Sequence, residues 1–149
     1  MKITDIQVTN LVFSYPGSRG FRYAGGVATG RVTSLVHVFT DEKIVGLGAG
    51  YSHPELLRTI IEGHLKPHLL GKDPQKTDSL WELMYRLTRW YGRKGVAMSA
   101  LGALDIAFWD VRGKEAGKPI SELLGSSRSS VPAYASGLLW QDDMSDLQR

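Results

Sequence analysis

The 149 residues contain no cysteine. That removes disulfides, thiolate metal sites and a cysteine nucleophile, and says little about compartment. Long apolar runs are also missing, since none approaches the ~18 residues of a membrane span. The N-terminus, MKITDIQVTN, lacks the basic-then-apolar order of a secretory signal. A cytoplasmic location is the expectation. Charge of one sign is scarce as well. Eighteen Lys and Arg against fifteen Asp and Glu leave a net +3, without the basic stripe that a nucleic-acid face carries. Neither nucleic acid nor membrane is an expected partner, and no repeat or low-complexity segment is visible.

What is present is an ordinary globular composition, 42% hydrophobic and 22% charged. The length suits one domain, or a small domain with a piece of another. Lys2 to Val12 reads as a strand with Ile6, Val8 and Val12 on one face. Residues 13 to 31, rich in Gly, Ser, Arg and Tyr, read as a long loop without periodicity, and such loops tend to be functional. Val32 to Phe39 and Ile44 to Gly50 read as two further strands joined by a tight turn. Short connections make the three an antiparallel meander.

Helices follow. Ser52 and Glu55 have capping-box spacing with Pro54 in the first turn. The helix they start carries Leu56, Leu57, Ile60, Ile61 and Leu65 inward and ends near Pro67. A second runs from about Ser79 to Tyr91, with Leu80, Leu83, Met84, Leu87 and Trp90 on one face. A third, from Val96, is apolar nearly all round, as a helix packed on several sides is. Asp105 interrupts it, and a carboxylate there needs a partner. Asp110 and Lys114 can pair at i,i+4, and Gly117 with Pro119 makes a stop signal. A sheet followed by a run of helices is an α+β pattern. Val131 to Leu139 reads as one more strand, and Met144 to Arg149 as the start of a helix.

Several constellations look chemical and are better explained by structure. Gly46, Gly48 and Gly50 follow a strand as a dinucleotide loop does, but Tyr51 stands where G-x-G-x-x-G continues differently; they are read as releasing the strand into the next loop. His64 and His68 have zinc-ligand spacing, with Pro67 between them and no third ligand evident. Asp105 and Asp110 lie five apart and so point to different faces of a helix. The four Trp residues are read as core and interface.

One motif is specific. Ser99-Ala100, Leu104 to Asp110 (LDIAFWD), Gly113-Lys114, Gly117 to Pro119 and Leu123 to Gly125 stand in order. This stretch resembles the signature of the mandelate racemase and muconate lactonizing enzyme group of the enolase superfamily. The resemblance implies an α+β capping domain over residues 1–125. It also implies the first strand and the start of the first helix of a truncated (β/α) barrel over 126–149. A barrel takes ~250 residues, so most of it would lie outside this chain.

The same resemblance implies a Mg²⁺-dependent enzyme that abstracts the proton α to a carboxylate. An acid-sugar dehydratase is the leading expectation, with a racemase, epimerase or cycloisomerase as the alternative. A stand-alone non-catalytic binding module is the rival of another class, and a chain that stops within an expected helix argues against it. The implied catalytic base and metal ligands fall beyond residue 149, so no catalytic or metal residue is assigned within the chain. The implied partners are a small hydroxylated carboxylate and further copies of the protein. In such a cap two loops select substrate. They map to residues 13–31, with Phe21, Arg22 and Tyr23, and to residues 48–55, with Tyr51 and His53; Ser136, at the end of the expected barrel strand, faces the same mouth. The bland reading is that these are solvated loop residues, with Phe21 and Tyr51 pinning their loops.

Overall fold

A computed structural model of the chain describes residues 1–17, 20–126, 128 and 130–134. Two compact units are distinguished. One comprises Met1–Leu11 with Val32–Ser126, the other Val12–Arg31 with Ser127–Arg149.

The larger unit is built on a three-stranded antiparallel sheet in the order β1-β4-β5, formed by Ile3–Ser14, Gly30–Thr40 and Val45–Gly50. The expected meander is present, with β1 running two residues further and β4 starting two earlier. Alternation puts Val36 and Val38 of β4 on the buried face beside Ile6 and Val8 of β1. Val12 departs from that expectation, being 69% exposed. Opposite Val36 and Val38, the register places Gly48 and Gly46 of β5.

Those glycines receive a helix. Long helix α4, Val96–Ala116, lies on β5 so closely that a Cβ on Gly46 or Gly48 would overlap the carbonyl oxygens of Ala107 and Ala103. A Cβ on Gly50 would come 2.6 Å from Leu57 Cδ1. The Gly-x-Gly-x-Gly run is therefore a smooth seat for Ala103 and Ala107 and not a release into the following loop. Small residues on both sides let backbones approach and replace water with dense packing. Leu101, Leu104 and Phe108 continue the buried surface of α4 into the core. Gly117 ends the helix in the left-handed region at φ 61°, and the Lys118 N–H reaches back to the Gly113 carbonyl at 3.0 Å. A short helix α5, Ile120–Leu123, follows with Pro119 as its cap.

The helical run after β5 differs from expectation in three ways. Its cap is His53, whose Nδ1 accepts the Leu56 N–H at 3.5 Å, and not Ser52. The Glu55 carboxylate instead accepts from Asn10 Nδ2 at 2.9 Å on β1. The run also passes Pro67: α1, Pro54–Arg58, opens into a π-helical segment, Thr59–Leu65, and closes again as α2, Lys66–Leu69. An α-helix would drive the proline ring into the carbonyl four residues back. The upstream i→i−5 pattern, closed by Lys66 N–H to the Ile61 carbonyl, lets Pro67 sit in a first turn. Leu57, Ile61, Leu65 and Leu69 face the core, whereas Leu56 is exposed.

Helix α3, Thr77–Leu87, buries Leu80 and Met84. It stops before Tyr91, and Trp90, expected on the inward face, is 83% exposed beyond its end. Residues 131–134 carry no strand. The rest of that expected strand, and the expected helix start at 144–149, lie outside the described residues. Among the described residues no helix is long and apolar enough to cross a membrane.

Candidate functional site

The smaller unit gives the long loop of the sequence a structure that periodicity did not show. Strands β2, Phe21–Tyr23, and β3, Gly26–Ala28, form a two-stranded antiparallel hairpin. Phe21 pairs with Ala28, Arg22 with Val27 and Tyr23 with Gly26, leaving Ala24 and Gly25 as the turn. Each strand has three residues, too few for a hydrophobic alternation to register in sequence. Gly26 takes φ 132°, a conformation open to glycine and strained for other residues. At the base of the hairpin the Tyr15 N–H donates to the Thr29 carbonyl at 2.9 Å. The Tyr23 ring folds over the turn, and a Cβ on Gly25 would lie 2.6 Å from its Cε2.

Residues 12–31 include no Asp or Glu. Arg22 is exposed, and no carboxylate partner is recorded for it among the described residues. Tyr23 is exposed over more than half its surface. The hairpin thus displays a cation and a phenol on one short strand, β2, a combination suited to a carboxylate or to hydroxyls.

The second group lies where β5 meets α1. Gly50 is buried, and the next residue, Tyr51, is 72% exposed. The backbone of Tyr51 is tied to the signature helix, its carbonyl accepting from Ser99 Oγ at 3.5 Å. The exposed His53 spends Nδ1 on capping α1, which puts its ring proton on Nε2 and leaves Nε2–H as its donor to a ligand. Phe21, Arg22 and Tyr23 are thus brought together on one hairpin, and Tyr51 and His53 on one turn. Ser136 lies outside the described residues.

The carboxylates of the signature helix have separate duties. Asp110 accepts the Leu47 N–H at 2.7 Å and pairs with Lys114 at 2.6 Å, while Lys114 donates to the Val45 carbonyl at 2.7 Å. The pair therefore satisfies the free edge of β5, a role that i,i+4 spacing alone does not reveal. Asp105 has neither hydrogen bond nor ion pair recorded among the described residues. Burial, and the like charge of Asp78, push its carboxyl above the usual range. His64 and His68 stack edge to face at 6.0 Å, and His64 Nε2 lies 3.3 Å from the Leu87 carbonyl. Among the described residues no three His, Cys, Asp or Glu side chains stand together as a metal site requires.

These features coincide with a known architecture. Residues 12–125 match the family model of the mandelate racemase / muconate lactonizing enzyme N-terminal domain. The chain belongs to that family, and its α+β fold is that of the capping domain of the enolase superfamily. Among curated relatives it is 40% identical over 100 residues to an arabinonate dehydratase of Saccharolobus solfataricus, covering 66% of this chain and 27% of the relative. It is 35% identical over 115 residues to a D-galactarolactone cycloisomerase of Agrobacterium fabrum, covering 76% and 30%. A solved enolase-superfamily member from Polaromonas superposes with TM-score 0.86 at 31% identity, over 95% of this chain and 38% of that one. A racemase of Streptomyces coelicolor, solved with bound magnesium, superposes with TM-score 0.71 at 26% identity, over 76% and 32%. The chain spans between a quarter and a third of the length of these curated relatives.

Proposed function

We propose that the chain is the substrate-selecting cap of a Mg²⁺-dependent acid-sugar dehydratase, acting on a small hydroxylated carboxylate. The observation that carries the reading is the acid-free hairpin with Tyr23 exposed and Arg22 exposed without a carboxylate partner among the described residues, in a chain whose curated relatives include an arabinonate dehydratase. In this reading Arg22 binds the distal carboxylate or hydroxyls, and Tyr23, Tyr51 and His53 Nε2 add hydrogen bonds. Phe21, from the hairpin, and Ser136 complete the proposed set. Residues 1–125 form the cap and 126–149 begin the barrel.

The described residues do not provide a magnesium site. The ion, the base and their ligands are assigned, by the family relationship, to barrel segments outside these residues. No chemical step is assigned to the 149 residues, whose part is to bind and orient substrate. The relationship to catalytic relatives supports this reading over a stand-alone binding module. The full-length protein is further proposed to be a cytoplasmic homo-oligomer.

A second reading, cycloisomerisation or racemisation, is favoured by the similarity to the galactarolactone cycloisomerase. Assay of the full-length protein with Mg²⁺ against sugar acids, sugar-acid lactones and acyl amino acids separates the two. Dehydration of a sugar acid is expected. Turnover confined to lactones or acyl amino acids removes the dehydratase reading.

A further inference from the structure

We propose that Asn10 is a positioning residue for the turn that carries Tyr51 and His53. It acts through Glu55, and the proposal rests on the reading of that turn as a substrate contact. Along β1, alternation sets Ile6 and Val8 on the buried face, and residue 10 continues that face. An apolar side chain is expected there, yet the position holds the only asparagine of the chain. Asparagine is depleted in strands, so its place needs another reason, and its hydrogen bonds supply one. Ser34 of β4, 1% exposed, donates its Oγ–H to Asn10 Oδ1 at 2.8 Å. Asn10 Nδ2 in turn donates to Glu55 Oε1 at 2.9 Å.

The direction of this relay is fixed by chemistry. A carboxylate only accepts, so the Asn10 amide turns its NH2 group toward Glu55. The amide oxygen then faces Ser34, whose hydroxyl has to donate. Arg58 Nη1, 3.8 Å from Glu55 Oε2, holds the same carboxylate from within α1.

Both ends of the turn meet in this network. The register of β4 with β5 pairs Ser34 with Gly50, the residue before Tyr51. Glu55 is the second residue of α1, two beyond His53. The entry to the turn is therefore tied to Ser34 by the strand ladder, and its exit by way of Asn10 and Glu55. The bonds within the turn are longer. The Tyr51 carbonyl accepts from Ser99 Oγ at 3.5 Å, and His53 Nδ1 accepts the Leu56 N–H at 3.5 Å. The shorter bonds of the relay thus fix where α1 begins, and with it where the Tyr51 phenol and His53 Nε2 stand. Small misplacements of such groups weaken the productive complex out of proportion to the energy of the bond that was lost.

Asn10→Asp in the full-length protein tests the role. The substituted carboxylate still accepts from Ser34, so the buried hydroxyl keeps its partner. Only the contact with Glu55 changes, where two acceptors of like charge now meet. Hydrogen exchange read by mass spectrometry is expected to quicken about fivefold or more in peptides spanning residues 51–58 and to stay unchanged in peptides of α4. KM for the substrate that the parent turns over is expected to rise by about tenfold, with kcat within about twofold. Adding Glu55→Gln to Asn10→Asp turns an amide donor toward the substituted carboxylate and is expected to restore both readouts. The proposal is overturned if exchange at 51–58 is unchanged, if exchange quickens while KM stays at the parent value, or if the second substitution restores neither. Tyr51→Phe separates this result from the functional reading. If Tyr51→Phe raises KM and Asn10→Asp does not, Asn10 has no positioning role and the turn remains a substrate contact. If neither raises KM, the turn does not touch substrate and both readings fall. If the parent turns over a lactone or an acyl amino acid in place of a sugar acid, the dehydratase reading falls, and KM for that substrate decides for or against Asn10.

Discussion

Gly48 on β5 and Gly102 inside α4 are given opposite values by the structure. A Cβ on Gly48 has no room, because the Ala103 carbonyl occupies the space it would take. Gly48→Ala is expected to lower unfolding free energy by about 1–3 kcal/mol, the usual cost of overpacking, read from denaturant melts of the chain. Gly102, inside α4, faces open space. Gly102→Ala is expected to stabilise the chain by about 0.5–1 kcal/mol, as removal of a mid-helix glycine does. A loss of stability at Gly102 would show that α4 does not sit as described.

Two carboxylates set opposite acid responses. The Lys66 ammonium at 2.5 Å, with Gln7 adding a hydrogen bond, holds Asp5 below its ordinary 3.8. A depressed carboxyl contributes stability above its unfolded value and loses it as pH falls through the folded one. Lys66→Met should therefore flatten the acid limb of the stability profile, by well under about 1 kcal/mol for so exposed a pair. Asp105 is raised, so the sign reverses. Its charged form is penalised at neutral pH, and the penalty disappears below the unfolded value of 3.8. Asp105→Asn is expected to raise the melting temperature at pH 7 and to leave it unchanged at pH 3. A uniform effect across pH would contradict the assignment.

At the scale of elements, both edges of the sheet are closed by acids from helices. Glu62 in the π-helical segment accepts the Val8 N–H of β1 at 2.7 Å, and Asp110 on α4 accepts the Leu47 N–H of β5. Open strand edges template pairing between molecules, and a charged acceptor from a neighbouring helix blocks that register. Asp110→Ala removes the acceptor and also frees Lys114 from its pair. A loss of about 1–3 kcal/mol is expected, with faster hydrogen exchange at Leu47 and a greater tendency to aggregate. Unchanged protection at Leu47 would show that the edge is closed by something else. The pairing of Asp110 with Lys114 was legible from spacing, but the strand edge it serves was not. Nothing in a sequence says which strand will lie under a helix 63 positions further on.

At the scale of the whole molecule, the proposed function gives the cap the selection of substrate and not its conversion. Arg22→Ala in the full-length protein is expected to raise KM for the preferred sugar acid by about tenfold or more, the value of a charge-assisted hydrogen bond. A selective residue should leave kcat much less affected. A fall in kcat with unchanged KM would move Arg22 out of the substrate-binding role.

The three-stranded meander followed by helices, the α+β class and the family followed from the sequence alone. Local signals carry those: alternation in β1 and β4, the apolar stripe of α4, and the Gly117 stop. Tertiary structure decided what local signals cannot encode. Pro67 looked like a stop because an isolated helix would end there, yet packing of Leu65 and Leu69 into the core holds the run together through a π-helical turn. Trp90 matched the inward face by period but lies past the last helical turn, exposed. The glycines of β5 looked like a loop signal until the helix they receive was in place. For Pro67 and for the β5 glycines the deciding contacts join residues distant in sequence, and periodicity reports only neighbours along the chain.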